Sequence, residues 1–380
     1  MTATLTWQPF RLTLRSPFAA AHGAISAREG LLVRLRLPSG EQGLGEASPL
    51  PSFGGGSVEE ASAALAELAR SCRGLSIAEM WGTETTLRGY SEGSEAAARC
   101  GFETALADLV ARRYRRPLFA WLAPEAGLDL PPERRTIPAN AIIDASAAGA
   151  AAEQARALAN SGFTTFKVKV TADVDAACAR LKAVREALGP QAVLRIDANG
   201  AWACADAAIA AIERLSISGL SLCEQPLSPG AGIESLAVVN RRSPVPIAVD
   251  EGCRSLADLA AVARLGAAGT VVVKPMVTGL REALRMLRFA RENRMTAIVT
   301  TTFDSGVGTA LAAHLAALLP VPAPACGLAT LEHVTRDIVT GAPPVQRGLI
   351  TLGMAPGLGV ALDEQALAAL ATGPACEAPL

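Results

Sequence analysis

Thr165-Phe166-Lys167-Val168-Lys169-Val170 and, one repeat later, Ala192-Val193-Leu194-Arg195-Ile196-Asp197-Ala198-Asn199 are the stretches on which the reading of the fold turns. Each is a short apolar run that stops on a charge, and an alanine-rich stretch of helical length separates them. Strands buried on both faces of a parallel sheet look like this, because neither face needs polar residues. Outward from that pair, the same alternation runs through residues 139–143, 165–170, 192–196, 219–223, 245–249, 270–273, 297–301 and 323–328. Gly162, Gly189 and Gly266 fall where the intervening helices should stop. Eight β-α units of this kind close into a parallel (β/α) TIM-type barrel.

The pattern before residue 136 is different. Leu31-Leu32-Val33-Arg34-Leu35-Arg36-Leu37 alternates as a half-buried strand does, Pro38-Ser39-Gly40 turns it, and Gly43-Leu44-Gly45-Glu46-Ala47 reads as its hairpin partner. Residues 57–69 and 94–113 then become helical in pattern. Strands followed by helices imply a separate α+β unit over residues 1–135, with Pro131-Pro132-Glu133-Arg134-Arg135 as the linker into a barrel over 136–345. From Gly348 a hairpin-like pattern returns, so the tail, 346–380, is expected to pack back on the first unit.

A chain of 380 residues, half of them hydrophobic, is long enough for a barrel of about 250 residues and a smaller partner. With 35 basic against 36 acidic residues and no block of like charge, nucleic acid and anionic membrane are poor partners. The eight cysteines form no C-x-x-C pair and read as isolated thiols of a reducing cytosol. The start, from Met1 to Ser16, lacks a signal-peptide core, and residues 315–331 are broken by Pro320, Pro322 and Pro324. A cytoplasmic protein acting on a small molecule is the expectation; oligomeric state is left open.

What ends each apolar run points to chemistry. Lys167 and Lys169, Asp197, Glu224, Asp250 and Lys274 follow one another at the C-terminal ends of successive strands, roughly 25 residues apart, on the rim where barrel active sites lie. Asp197, Glu224 and Asp250 are three hard oxygen donors from adjacent strands, a set suited to Mg²⁺ with room for water and a substrate carboxylate. Lys169 and Lys274 stand on either side. Lys167 and Lys169 share one face, since the strand period is two, and neighbouring cations plus burial would lower a lysine's pKa enough to make it a base. Any one of these charges alone reads as a solvated loop residue; the series on five consecutive strands does not.

Lys167-Val168-Lys169, Asp197-Ala198-Asn199-Gly200-Ala201-Trp202, Glu224-Gln225-Pro226-Leu227, Asp250-Glu251-Gly252 and Lys274-Pro275, with Pro356-Gly357-Leu358-Gly359-Val360 and Asp363 in the tail, resemble the enolase superfamily in its muconate-lactonising subgroup. The resemblance covers nearly the whole chain. It implies an α+β capping domain built from both chain ends over the barrel mouth, and Mg²⁺ (Mn²⁺ as a substitute) stabilising an enediolate. Within the family the chain is most similar to o-succinylbenzoate synthases, which belong to menaquinone biosynthesis. Pro17-Phe18 and Ala21-His22-Gly23-Ala24 resemble the first capping loop, and Gly45-Glu46-Ala47-Ser48-Pro49-Leu50-Pro51-Ser52-Phe53-Gly54 the second. Thr301-Thr302-Phe303-Asp304-Ser305-Gly306 and Cys326-Gly327-Leu328-Ala329-Thr330 resemble the last two strand ends, although threonines stand where serine is common and Asp304 where glutamate is common.

The resemblance implies a lyase that removes water from 2-succinyl-6-hydroxy-2,4-cyclohexadiene-1-carboxylate. Lys169 takes the proton, Lys274 lies opposite, and Lys167 sits beside the base. Thr301, Thr302, Asp304, Ser305 and Gly306, with Phe18, His22 and Phe53 from the capping loops, are expected to contact substrate. Asn199, Gln225 and Glu251 are expected to orient the ligand carboxylates. Dipeptide epimerases of the subgroup carry an Asp-x-Asp at the eighth strand, which Gly327-Leu328-Ala329-Thr330 lacks. An N-acylamino acid racemase or cycloisomerase shares the lysines and the carboxylates and stays open, as does a barrel that binds metal without catalysis. His314, in an apolar helix, reads as a packing residue, Trp202 as packing behind Asp197, Glu332-His333 as lying off the ligand series, and Gly54-Gly55-Gly56 as a loop.

Overall fold

In the computed structural model, which describes residues 3–20, 23–51, 55–82, 94–128 and 135–380, the chain opens on a long antiparallel pair, β1 (Thr4–Ala20) and β2 (Gly23–Arg36). β3 (Gln42–Ala47) pairs with β2 as the hairpin pattern implies. Helix α1 (Val58–Ser71) starts on a capping box: the Ser57 hydroxyl accepts from Glu60 N–H while the Glu60 carboxylate accepts from Ser57 N–H. Then come α2 (Ile77–Gly82), α3 (Ser94–Arg113) and α4 (Leu118–Leu122). α3 lies directly on β3. A Cβ on Gly45 would stand 1.9 Å from Gly101 O and one on Gly43 2.0 Å from Ala105 O, so only glycine permits this approach.

Next in the chain are β4 (Arg135–Pro138) and then the units β5 (Ala141–Ile143), α5 (Ala148–Asn160), β6 (Thr165–Lys169), α6 (Val174–Leu188), β7 (Val193–Asp197) and α7 (Ala205–Ser216). β8 (Leu220–Glu224), α8 (Ile233–Arg242), β9 (Ile247–Val249), α9 (Leu256–Leu265) and β10 (Thr270–Val273) continue the series. α10 (Pro275–Thr278), α11 (Leu280–Glu292), β11 (Thr296–Val299) and α12 (Gly306–Ala316) complete it. β5 to β11 form one parallel seven-stranded sheet in chain order. The eighth strand expected at 323–328 is not a strand: Cys326 bridges Ala139 and Gly327 bridges Thr300, both in parallel, and these two residues close the ring. Pro322 and Pro324 have no N–H to give to a ladder, which limits pairing there to single bridges.

In the tail, β12 (Val339–Thr340), β13 (Val345–Gln346), β14 (Leu349–Leu352), β15 (Ala361–Leu362), α13 (Glu364–Leu370) and β16 (Cys376–Pro379) follow. The hairpin around Gly348 pairs with β4 at the barrel entry and not with the first sheet, because β14 buries Ile350 and Leu352 while its register sets Ile350 opposite Ile137. The end of the tail does reach the first sheet: Ala371 bridges Phe10 of β1, Thr372 N–H donates to Pro9 O, and β16 pairs antiparallel with β1. Among the described residues no helix is long and apolar enough to cross a membrane.

Candidate active site

Strand periodicity decides which side chains meet at the barrel mouth. In β6, Phe166 and Val168 are buried in the core, which leaves Lys167 and Lys169 on the opposite, interior face. In β7, Leu194 and Ile196 do the same for Arg195 and Asp197. Register sets Lys169 level with Asp197 and Asp197 level with Glu224. Asp250 lies just past β9 and Lys274 just past β10. β6 and β10 are four positions apart in the closed ring, so Lys169 and Lys274 stand on opposite sides of the mouth.

Ion pairs hold this arc together. Lys167 Nζ lies 2.8 Å from Asp197 Oδ2 and donates to Glu224 Oε1 at 2.7 Å, and Lys274 Nζ donates to Asp250 Oδ2 at 2.5 Å. Asp197, Glu224 and Asp250 are only 2, 4 and 5 % exposed. Burial pushes the Glu224 carboxyl up to about 7: Lys167 pulls against it, but the charges of Asp197 and Asp250 add to the rise. Burial likewise raises Asp250 against the pull of Lys274. Asp197 is buried too, yet Lys167, Lys169 and Lys274 outweigh that and hold its pKa low.

The lysines diverge. Burial disfavours the Lys167 ammonium, but Asp197, Glu224 and Asp250 together overcome this and hold it protonated. Lys169 goes the other way: burial lowers its pKa, Asp197 opposes, and the positive charges of Lys167 and Lys274 reinforce the fall. Its Nζ lies 4.9 Å from the centre of the Phe18 ring, which reaches down from β1. Of the two lysines of β6, Lys169 is therefore the one that gives up its proton more easily.

Residues just past the strands are held in a left-handed backbone. Asn199 (φ 43°) and Gln225 (φ 41°) follow Asp197 and Glu224; asparagine tolerates this conformation, whereas glutamine adopts it only when its surroundings impose it. Asn199 N–H donates to Asp197 Oδ1 at 3.0 Å and its amide to Glu251 Oε1 at 3.0 Å. Gln225 Oε1 accepts from Asp250 N–H and Gly252 N–H, at 2.8 and 3.2 Å. These three side chains brace the carboxylate arc.

A pocket of about 100 Å³ opens over the arc, lined on one side by Lys169, Asp197, Asp250 and Lys274 and on the other by Thr301, Thr302, Phe303 and Thr330. Phe18, Ile25, Leu50 and Ile142 add apolar surface. Asp304, Ser305 and Gly306, expected to hold substrate, do not face the pocket. They are buried in the seam between the first sheet and α12, where Asp304 accepts from Thr302, Ser305 donates to Glu46, and Gly306 N–H donates to Asp337. A carboxylate would in any case repel a substrate carboxylate. His22 and Phe53 lie outside the described residues. Ile25, Leu50, Phe303 and Thr330 escaped the reading of individual site residues, although all but Ile25 lie within stretches that carried the resemblance.

The other histidines have no part in the carboxylate arc. His314 is buried, with Nδ1 accepting from Phe119 N–H and Nε2 3.2 Å from Leu358 O, and burial pushes its pKa down to about 4. His333 packs edge-on against Phe18 and Phe303, with ring centres 5.8 Å away in both cases. Trp202 is buried at 5 % exposure, a packing position.

Among the described residues no three His, Cys, Asp or Glu side chains are gathered tightly enough to enclose an ion as they stand. The donor set nevertheless fits a hard divalent cation. Three buried carboxylates from successive strands are paired with flexible lysine side chains, and burial, with the charges of Asp197 and Asp250, still leaves the Glu224 pKa raised.

Residues 150–366 match the family described as Enolase C-terminal domain-like. The chain belongs to the enolase superfamily and is an enzyme of that superfamily. It is 34 % identical over 354 residues to an o-succinylbenzoate synthase of Thermobifida fusca, covering 90 % of this chain and 88 % of that one. It is 33 % identical over 317 residues to an aromatic dipeptide epimerase of Herpetosiphon aurantiacus, covering 82 % and 85 %. Among solved structures, a dipeptide epimerase from Cytophaga hutchinsonii complexed with Mg and the dipeptide D-Ala-L-Val superposes with a TM-score of 0.87 at 25 % identity, covering 99 % and 100 %.

Proposed function

We propose that the protein takes a proton from the carbon next to a substrate carboxylate and that its reaction is the dehydration of 2-succinyl-6-hydroxy-2,4-cyclohexadiene-1-carboxylate to o-succinylbenzoate. Asp197, Glu224 and Asp250 would hold Mg²⁺, with Asn199, Gln225 and Glu251 bracing them. When bound, the cation supplies counter-charge to the substrate carboxylate as negative charge builds up on it. Lys169, half-buried and beside the positive charges of Lys167 and Lys274, accepts the proton. Lys274, across the mouth, contributes positive charge, and Lys167 keeps the Lys169 pKa low. The Lys169 ammonium then returns its proton to the hydroxyl on the neighbouring carbon. The C–O bond breaks, water leaves, and the ring becomes aromatic, which makes the second step strongly downhill.

The observation that carries this choice is the neutral far wall. Gly327-Leu328-Ala329-Thr330 brings no carboxylate, and Thr301 and Thr330 are hydrogen-bonded to each other at 2.6 Å, so a substrate ammonium would find no anionic partner there. A dianionic acid with an apolar ring suits this wall better than a dipeptide. Lys274 opposite Lys169 favours one second reading, racemisation of an N-acylamino acid, because each face of the α-carbon then has a base. Steady-state turnover of the cyclohexadiene acid, beside racemisation of an N-succinylamino acid, tests the choice. Dehydration should be the faster, should stop in EDTA and should return with Mg²⁺ or Mn²⁺. Faster racemisation would reverse the order of the two readings, and full activity in metal-free enzyme would sink both.

A further inference from the structure

Glu46, on β3, is 2 % exposed and accepts four hydrogen bonds. One comes from Ser48 Oγ at 2.6 Å. The other three come from the barrel: Ser305 N–H at 3.0 Å, Ser305 Oγ at 2.5 Å and Gly308 N–H at 2.9 Å. The first sheet therefore supplies one of the two anions at the N-terminus of α12, Asp337 being the other, where free N–H groups and the helix dipole favour negative charge.

What α12 follows matters. Thr301, Thr302 and Phe303, the neutral wall of the pocket, fill the few residues between β11 and this anchor. Asp304, 1 % exposed, accepts from Thr302 N–H and from Thr302 Oγ1 at 2.5 Å, and so fixes the threonine rotamer. Phe303 is held at φ 63°, and its ring centre lies 4.5 Å from that of Phe18 on β1. Arg28 is buried on β2 and balances the two carboxylates; its guanidinium donates to Ser48 O and Pro49 O at 2.7 and 2.9 Å, within the stretch read as the second capping loop. Strand, loop and barrel rim thus share one buried network.

We infer that Glu46 is a positioning residue: from the cap it fixes the wall made by Thr301, Thr302 and Phe303, and so sets how tightly substrate is held without touching it. This rests on the proton-abstraction reading above. Each Glu46 oxygen accepts from one barrel N–H, Oε1 from Ser305 and Oε2 from Gly308, so a glutamine in either orientation turns its NH₂ toward a buried donor. The wall is released on one side, while the lysines and carboxylates across the mouth keep their places.

The test measures kcat, KM and Mg²⁺ activation for Mg²⁺-loaded wild type, Glu46→Gln and Ser305→Ala, with α-proton exchange in D₂O for wild type. Glu46→Gln should raise KM about 10-fold or more while kcat changes by less than about 3-fold and Mg²⁺ activation is unchanged; Ser305→Ala should raise KM in the same direction by about 3-fold. A purely structural role would lower kcat with the folded fraction and leave KM alone, and that result overturns the inference. If Glu46→Gln does not fold, the KM of Ser305→Ala decides alone. Wild type without α-proton exchange would bring down the functional reading; wild-type exchange with unchanged KM in the folded variants would bring down only the role given to Glu46.

Discussion

From β6 to β10 the barrel mouth carries Lys167, Lys169, Asp197, Glu224, Asp250, Glu251 and Lys274; from β11 to the closing segment it carries Thr300, Thr301, Thr302, Phe303 and Thr330. The first arc is held by ion pairs that join β6 to β7 and β8, and Asp250 after β9 to Lys274 after β10. The second is held by hydroxyls that donate to backbone, as Thr301 Oγ1 does to Gly327 O at 3.0 Å, and by the anchor on Glu46. A charged arc bound to itself and a neutral arc bound to the cap can change independently. On the proposed reading the first performs the chemistry and the second selects the substrate, which is how one superfamily site comes to stand in proteins named for different reactions.

Breaking the charged arc should have the largest effect. Lys169→Ala should lower kcat about 10³-fold or more with KM little changed, since the lost group acts on the transferring proton and not on binding. Steady-state kinetics check this, and near-normal kcat would assign the base elsewhere. A subtler break is Lys167→Ala. The base must be neutral, so activity rises with pH through the Lys169 pKa. Lys167 is one of the charges that lower that pKa, so its removal should move the limb to higher pH, whereas Lys167→Arg keeps the charge and should move it less. A pH–rate profile unmoved in both variants would show that the two lysines do not communicate. The smallest effect is expected at the neutral side: Phe18→Leu should change the ratio of dehydration to racemisation by several-fold and leave Mg²⁺ activation within about 3-fold of wild type. Loss of metal activation instead would mean that the two arcs are not separable.

The charged arc was legible in the sequence because barrel geometry places successive strand ends on one rim, so Lys169, Asp197, Glu224, Asp250 and Lys274 could be lined up from their spacing alone. The parallel strands were legible for a related reason: burial on both faces makes them plain apolar runs. The closing segment was not, since it contributes only Cys326 and Gly327 after a run of prolines, and pairing at two residues leaves no pattern. The orientation of Asp304 was not legible either, because a polar residue at a strand end looks the same in sequence whether it faces the pocket or the seam; the charges that act on it there, Glu46 and Arg28, come from more than 250 residues earlier in the chain. Long-range polar networks of that kind carry no local periodicity, and the neutral side of the mouth is anchored by one of them.

The account stands most directly on α-proton exchange in D₂O, followed by NMR with Mg²⁺-loaded enzyme and an N-succinylamino acid, an α-carboxylate with no hydroxyl to lose. Deuterium should enter the α-position with wild type and should fail to enter with Lys169→Ala. No exchange in wild type, or equal exchange in both, would contradict the central claim that Lys169 removes a proton from the carbon next to a carboxylate.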